Sequence, residues 1–187
     1  DLLPFQKPLA RKHLDVAKWS TKNKYTLLDV IEHAKPNILI GVSGQSNQFT
    51  EEVVKTMHKY CKRPIIFPLS NPTSHAEAKP IDILNWTNGL AIVATGSPFA
   101  DVNYQGYTHK ISQSNNAYIF PGMGLAVLAG KINRVTDSMF LQAARALSEA
   151  GRELNVDKLL VLPALSQIRA VSEKIAVAVI HEAIESG

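Results

Sequence analysis

Three short apolar runs, each ending in a loop of small residues, constrain the fold of this chain most strongly. The runs cover residues 38–42, 65–69 and 90–95, and sequence with helical character separates them. They are short and continuously apolar, which is typical of strands buried on both faces. Strands that alternate with helices form βα units, and such units build a parallel sheet. The sequence therefore predicts an α/β fold with a parallel sheet flanked by helices.

Capping residues and prolines mark where several helices begin. Apolar residues recur at helical spacing over 26–34, and Thr50 can cap a second helix. Ser74, followed three residues later by Glu77, has the form of a capping box, which predicts a short helix beginning there. Pro80 fits the first turn of another short helix. Further helices are predicted over 124–131, 136–150 and 164–186, and a hairpin near residues 105–106.

Charge and hydropathy exclude several classes of protein. The 187 residues include 20 Lys and Arg against 16 Asp and Glu, a net charge of +4 with no basic block, so we expect no nucleic-acid surface. The most apolar stretch, 118–132, is interrupted by Pro121 and Gly122 and is shorter than the ~20 residues of a membrane span. Cys61 is the single cysteine. Since it cannot form an internal disulfide, we expect a cytoplasmic protein without a membrane partner.

The loops that follow the strands are candidates for ligand binding. In an open parallel sheet, ligands bind outside the carboxyl ends of the strands, where helix N-termini present free N–H groups. Three such loops cover 42–45, 70–74 and 95–98. Their small residues let a ligand approach the backbone, and the Asn71 amide offers both donors and an acceptor. This chemistry suits a ribose hydroxyl, a carboxamide or a carboxylate.

One other hypothesis from the motifs remains at this point, and two further motifs are absent. Residues 41–45 resemble the G-x-S-x-G turn of serine hydrolases, with Ser43 as nucleophile, but Gln45 replaces the second glycine. A triad would need His109 or His181, and neither lies in a recognisable loop signature. The six histidines never pair at metal-ligand spacing, so the residues themselves predict no metal site. The G-x-G-x-x-G run of many dinucleotide-binding folds does not occur in this sequence.

Four segments, taken together and in order, resemble the C-terminal half of the cofactor-binding domain of malic enzymes. The resemblance is strongest to the bacterial NAD-dependent malic enzymes, and malolactic enzymes share it. It implies a Rossmann-like sheet that is incomplete here, with residues 1–187 forming the C-terminal part of an NAD-binding domain and an upstream domain lying outside the chain. The first residue is Asp1 rather than Met, which fits a piece of a longer protein. The segments are 38–45, 63–74, 94–99 and 113–122.

The resemblance also implies an activity for the parent protein. Malic enzymes use NAD to oxidise L-malate and then decarboxylate the product to pyruvate, whereas malolactic enzymes give L-lactate. A divalent metal, Mn²⁺ or Mg²⁺, stabilises the charge that develops as CO₂ leaves. The family's catalytic tyrosine and lysine and its metal ligands belong to preceding segments, so we assign no catalytic or metal residue here and expect the fragment alone to be inactive. The family suggests a homo-oligomer, a dimer or a tetramer.

Site residues can be transferred from the family position by position. Asn71 matches the asparagine that meets both the nicotinamide riboside and the substrate. Asn115 matches the asparagine that binds malate, and Asn116 lies beside it as a second candidate. Ser114 replaces a glycine that is more usual in the family.

The remaining transferred residues belong to the first loop. Val42 and Ser43 match positions that line the adenosine side of NAD, and Gly44 in the same loop is assigned to cofactor binding with them. A different class of function stays open beside this one. A small non-catalytic α/β module could use the same loops to bind a nucleotide or a partner.

Overall fold

The computed structural model describes residues 2–19, 24–154 and 160–186. Its helices are α1 His13–Val16, α2 Leu27–Ala34, α3 Glu51–Tyr60, α4 Pro80–Trp86, α5 Phe120–Gly130, α6 Asp137–Leu154 and α7 Ile168–Ser186. Its strands are β1 Ile38–Gly41, β2 Ile65–Pro68, β3 Ile92–Thr95, β4 Val102–Tyr104, β5 Tyr107–His109 and β6 Ser112–Gln113. Short 3₁₀ turns lie between some of these elements.

The main sheet has four strands in the order β1-β2-β3-β6, and every pairing in it is parallel. Ile38 lies opposite Ile65, which in turn lies opposite Ile92. The three predicted strands and their parallel arrangement are thus confirmed. The fourth strand, β6, was not predicted, because its two residues carry no periodic pattern of their own.

Local signals explain where the helices begin. The side chains and backbones of Thr26 and Asp29 form a reciprocal capping box at α2, and Thr50 accepts a hydrogen bond from Val53 at α3. Pro80 occupies the first turn of α4, as predicted. Strands β4 and β5 pair antiparallel on either side of a turn at residues 105–106, which confirms the predicted hairpin.

The capping box predicted at Ser74 is wrong. Residues Thr73–His75 form one 3₁₀ turn instead of the start of an α-helix. The Glu77 carboxylate does not return to the Ser74 backbone, because hydrogen bonds to other loops hold it in the interior. A tertiary contact therefore overrides the local pattern at this position.

One face of the sheet carries the main hydrophobic core. Helices α2, α3 and α4 supply side chains that bury Leu39, Ile66 and Val93, and each fully buried side chain of this size contributes roughly 1.5–3 kcal/mol. On the opposite face of β1, Ile38 and Ile40 remain 53% and 55% exposed. The described part of the sheet is therefore covered unequally on its two faces.

A second core lies among α5, α6 and α7. Ala126, Ala143, Ile175 and Val179 are buried there, and small residues let the helices approach closely. A Cβ atom on Gly122 would lie 2.6 Å from Ile175 Cγ2, so only glycine fits at this contact. Within the described residues, no helix combines the length and apolarity needed to cross a membrane.

Candidate functional site

The loops that follow the parallel strands contact one another at one edge of the sheet. Between the first two loops, the Gly44 N–H donates to Ser70 Oγ over 2.8 Å. Between the second and third, Ser97 Oγ donates to Asn71 Oδ1 over 2.5 Å. The predicted loops 42–45, 70–74 and 95–98 therefore form one continuous surface, which we call the strand-end loops.

The carboxylate of Glu77 connects the first two strand-end loops from the interior of the fold. Glu77 is fully buried, and its Oε1 accepts hydrogen bonds from Ser43 N at 2.9 Å, Ser43 Oγ at 2.8 Å and Ser70 Oγ at 2.5 Å. Its other oxygen, Oε2, accepts from Ser70 N at 3.4 Å. A buried charge is tolerated only when its hydrogen-bonding capacity is used, and these donors use it.

These contacts also set the charge state of Glu77. Burial raises the pKa of the Glu77 carboxyl, but the hydrogen bonds from Ser70 and Ser43 lower it further than burial raises it. The pKa therefore lies below its usual value of 4.5, and Glu77 is ionised at neutral pH.

Asn71 is exposed, and its amide has a defined orientation. Because Oδ1 accepts from Ser97 Oγ, the amide N–H groups at this exposed position are available as donors. Ser97 is itself held in place, since Thr95 Oγ1 donates to the Ser97 carbonyl over 2.8 Å. A Cβ atom on Gly96 would lie 2.1 Å from the Leu69 carbonyl oxygen, so the close approach of the two loops requires glycine there.

The first loop presents its backbone to solvent. Val42 is 77% exposed, and Gly44 adopts a positive φ of 68° with open space around the position of a Cβ. The Ser43 hydroxyl points inward to Glu77 and also accepts from the Gln45 N–H. Because this hydroxyl bonds the buried Glu77 carboxylate, the His109 or His181 that the serine hydrolase hypothesis requires is not its partner.

Asn115 and Asn116 follow β6 on the same side of the sheet. The chain is attached to β3 just before them, because Ser114 N donates to the Thr95 carbonyl over 2.7 Å. The Asn115 side chain caps a 3₁₀ turn by accepting from Ala117 N over 2.9 Å, and both asparagines are exposed. The structure thus joins their segment to the end of β3, next to Gly96 and Ser97, while Asn115 also has a local structural role.

Three site residues were missed by the sequence reasoning. Ser70 and Ser97 lie within the predicted loops 70–74 and 95–98 but were given no role of their own, and Glu77 was assigned to a capping box; all three contact the predicted positions from inside the fold. The sequence did contain a signal for Glu77, because this residue lies between two alanines, Ala76 and Ala78. The structure shows that all three residues are buried. An acid between small apolar residues is compatible with burial, but the capping-box pattern suggested another role.

The structure tests whether the chain itself could hold the divalent metal that the resemblance implies. Among residues 2–19, 24–154 and 160–186, no group of three or more His, Cys, Asp and Glu side chains could hold a metal ion. We therefore assign no step to a metal held by these residues.

Tyr118 has a structural role in the fold. Its hydroxyl donates to the Pro163 carbonyl, and burial raises the pKa of Tyr118. We therefore assign no proton transfer to this tyrosine.

The parallel sheet, its intervening helices and the ligand-accessible loops at the strand ends define a Rossmann-like α/β domain. Comparison of the sequence with family models is more specific, because residues 1–184 match the model described as "Malic enzyme, NAD binding domain". The chain belongs to the malic enzyme family. The expected fold class and family are thereby confirmed.

Relatives with similar sequences carry the same family name. The chain is 54% identical to NAD-dependent malic enzyme 1 of Vibrio vulnificus strain YJ016 over 188 aligned residues, which cover 100% of this chain and 34% of that protein. It is 51% identical to the NAD-dependent malic enzyme of Acinetobacter baylyi, again over 100% of this chain and 33% of that protein. The chain thus spans about a third of the length of the curated relatives it matches.

Solved structures agree on the fold. The malic enzyme of Entamoeba histolytica aligns with a TM-score of 0.69 and 25% identity, over 89% of this chain and 31% of that one. The NAD-dependent malic enzyme of Thermotoga maritima aligns with a TM-score of 0.61 and 23% identity, over 90% of this chain and 38% of that one. At this identity, the second likeness supports the fold alone.

Proposed function

We propose that residues 1–187 form the C-terminal part of the NAD-binding domain of an NAD-dependent malic enzyme. The whole protein would oxidise L-malate and release CO₂ to give pyruvate. The names of the similar bacterial proteins support this activity. The observation that carries the proposal is the orientation of the Asn71 amide by Ser97, at the edge where the other strand-end loops meet.

In this proposal, the exposed groups of the strand-end loops bind the cofactor. Val42, Ser43 and Gly44 line its adenosine side with backbone and small side chains, and the open space at Gly44 fits this role. Asn71 donates from its amide to the nicotinamide riboside end and to malate. NAD, when bound, supplies the acceptor for the hydride that malate loses.

Substrate binding falls to the loop after β6. Asn115 and Asn116 offer exposed amides that can donate to a malate carboxylate. Since Asn115 Oδ1 already accepts from Ala117, its N–H groups are the part available to the substrate. When these amides bind the carboxylate, malate would be oriented to give the hydride on its C2 to NAD. The base that accepts the C2 hydroxyl proton would come from the part of the protein outside this chain.

The domain boundary belongs to the same proposal. The Asn37 carbonyl accepts from Ile65 N at the start of β2, and the Gly41 carbonyl accepts from Leu69 N directly after it. The alternate peptide groups at Ile38 and Ile40 therefore face away from β2. The side chains of these two residues are also half exposed. An open edge and an uncovered apolar face on β1 support the proposal that further strands and helices of the longer protein complete the sheet there.

Self-association completes the proposal. We infer a homo-oligomer, a dimer or a tetramer, from the resemblance to the family. Exposed apolar side chains on α7, such as Val177 and Ile184, are available for such contacts. Light scattering of the full-length protein after size exclusion would give its mass.

One assay of the full-length protein tests the proposed activity. With L-malate, NAD and Mn²⁺, we expect NADH and pyruvate to form together, while the isolated chain of 187 residues gives neither. Lactate without net NADH would show a malolactic enzyme instead. NAD binding without malate consumption would indicate a non-catalytic module and would contradict the proposal.

A further inference from the structure

Glu77 is a buried charge whose donors are all neutral. Its carboxylate accepts from the backbone N–H and the hydroxyl of Ser43 and from the same two groups of Ser70. Removing a charge from water is costly, and neutral donors offset that cost less well than a cation would. Because these donors come from two separate loops, the carboxylate connects both loops to one buried group.

The surrounding backbone is shaped around this carboxylate. A Cβ atom on Gly41 would lie 2.4 Å from Glu77 Cδ, so the end of β1 passes directly over the carboxyl group. The Glu77 carbonyl also accepts from Phe49 N over 3.0 Å, which fixes the residue on its backbone side. Glu77 is thus held between the strand ends and the segment that leads into α3.

The hydrogen bonds of Glu77 hold together two loops that, in the proposed function, bind different ends of NAD. Ser43 lies in the loop proposed for the adenosine side, and Ser70 immediately precedes Asn71. The Gly44 N–H donates to the same Ser70 hydroxyl that donates to Glu77. A change at Glu77 would release both loops together.

We propose that Glu77 is a positioning residue that sets the spacing between loop 42–44 and Asn71 and thereby determines the affinity for NAD. The inference rests on the proposed function, since it names a residue that supports the same site. Glu77 is fully buried beneath the loops and acts through Ser43 and Ser70. Its effect is therefore expected on cofactor binding.

Glu77→Gln is the sharpest test, because it changes shape very little. One carboxylate oxygen becomes an amide nitrogen, and that N–H₂ would face donors from the serine residues. In the full-length protein, we expect the dissociation constant for NAD, measured by isothermal titration calorimetry, to rise about tenfold. The KM for NAD should rise in parallel, with a much smaller change in kcat. Glu32→Gln, at an exposed position on α2, is the matched control and should leave both constants unchanged.

A merely structural role gives a different result. Glu77→Gln would then lower the melting temperature and leave the affinity for NAD unchanged well below that temperature, which overturns the inference. Wild-type protein that binds no NAD would instead refute the proposed function itself.

A second variant keeps the test valid if Glu77→Gln does not fold. Ser70→Ala keeps the carboxylate but removes the hydroxyl that bonds both Glu77 and Gly44. We expect its dissociation constant for NAD to rise severalfold. If both variants fold, their combination should weaken binding no more than Glu77→Gln alone, because they break one network. Unchanged affinity in Ser70→Ala would contradict the inference.

Discussion

At the scale of single residues, the side chains that we propose to face the ligand differ from those that hold the loops together. Asn71, Asn115 and Val42 are exposed at the strand ends, whereas Glu77 and Ser97 are buried behind them. These three exposed residues lie in segments that the sequence analysis singled out, because the side chains and backbone there suit ligand binding. The buried set acts through tertiary contacts, for which one sequence carries little signal.

Replacing Asn71 by Ala in the full-length protein should weaken malate turnover. Loss of a buried hydrogen bond to substrate or cofactor costs about 1–3 kcal/mol, which lowers kcat/KM by roughly 5- to 150-fold. Ser97→Ala keeps the amide but removes the hydroxyl that orients it. Its effect should be smaller, about 0.5–1.5 kcal/mol. Steady-state kinetics of both variants provide the check, and wild-type kinetics in Asn71→Ala would count against its assignment.

Glu77 should make stability depend on pH in the acid range. Its pKa is lower in the folded state than the usual 4.5, so its contribution is present above that pH. The contribution is lost as the pH falls through the folded pKa, since protonation then favours the unfolded chain. Urea unfolding from pH 7 to pH 3 should show the wild type losing stability relative to Glu77→Gln below about pH 4.5. A stability difference that stays constant through this range would refute the shift.

At the scale of elements, predictions succeeded where the signal is local. Apolar spacing and capping residues predict α2 and α3, and Pro80 predicts the start of α4. Strand β6 is different, because Ser112 and Gln113 form a strand only by pairing with Ala94 and Thr95. The pattern of the chain around β6 could not reveal a partner that lies 18 residues away in each pair.

Two glycines of α5 provide a matched pair for testing the helical core. A Cβ on Gly122 would meet Ile175 Cγ2 at 2.6 Å and the Ser172 carbonyl oxygen at 3.0 Å. Gly122→Ala should therefore push α5 away from α7 and destabilise the chain by about 1–3 kcal/mol. Gly124 meets nothing within 4 Å, so Gly124→Ala should stabilise it by about 0.5–1 kcal/mol through helix propensity. Denaturant unfolding measures the free energy of unfolding of both variants. Equal changes in this free energy would show that the α5–α7 contact is looser than described.

At the scale of the whole molecule, the sequence predicted the parallel sheet and the edge at which the strand-end loops meet. Parallel order follows from the alternation of strands and helices, and the positions of the strand-end loops follow from parallel order. What could not be read in advance is how the loops are held together, because Glu77 and Ser43 are 34 positions apart and their contact depends on the completed fold. The sequence also could not show that one face of the sheet is covered less than the other. The exposure of Ile38 and Ile40 in the folded chain reveals this difference.

Hydrogen exchange should show whether the longer protein covers the open edge of β1. The Ile40 amide faces away from β2 and should exchange rapidly in the isolated chain, whereas the Leu39 amide, which faces β2, serves as the internal control. In the full-length protein, exchange at Ile40 should slow at least roughly tenfold if another strand pairs there. Equal exchange of Ile40 in both proteins would refute the proposed completion of the sheet.

We propose that the strand-end loops together bind one nicotinamide cofactor. A crystal structure of the full-length protein with NAD tests this most directly. We expect the adenosine end to lie against Val42 and Gly44, with the Asn71 amide within hydrogen-bond distance of the nicotinamide riboside. NAD bound elsewhere, with these loops left in contact with solvent, would contradict the account.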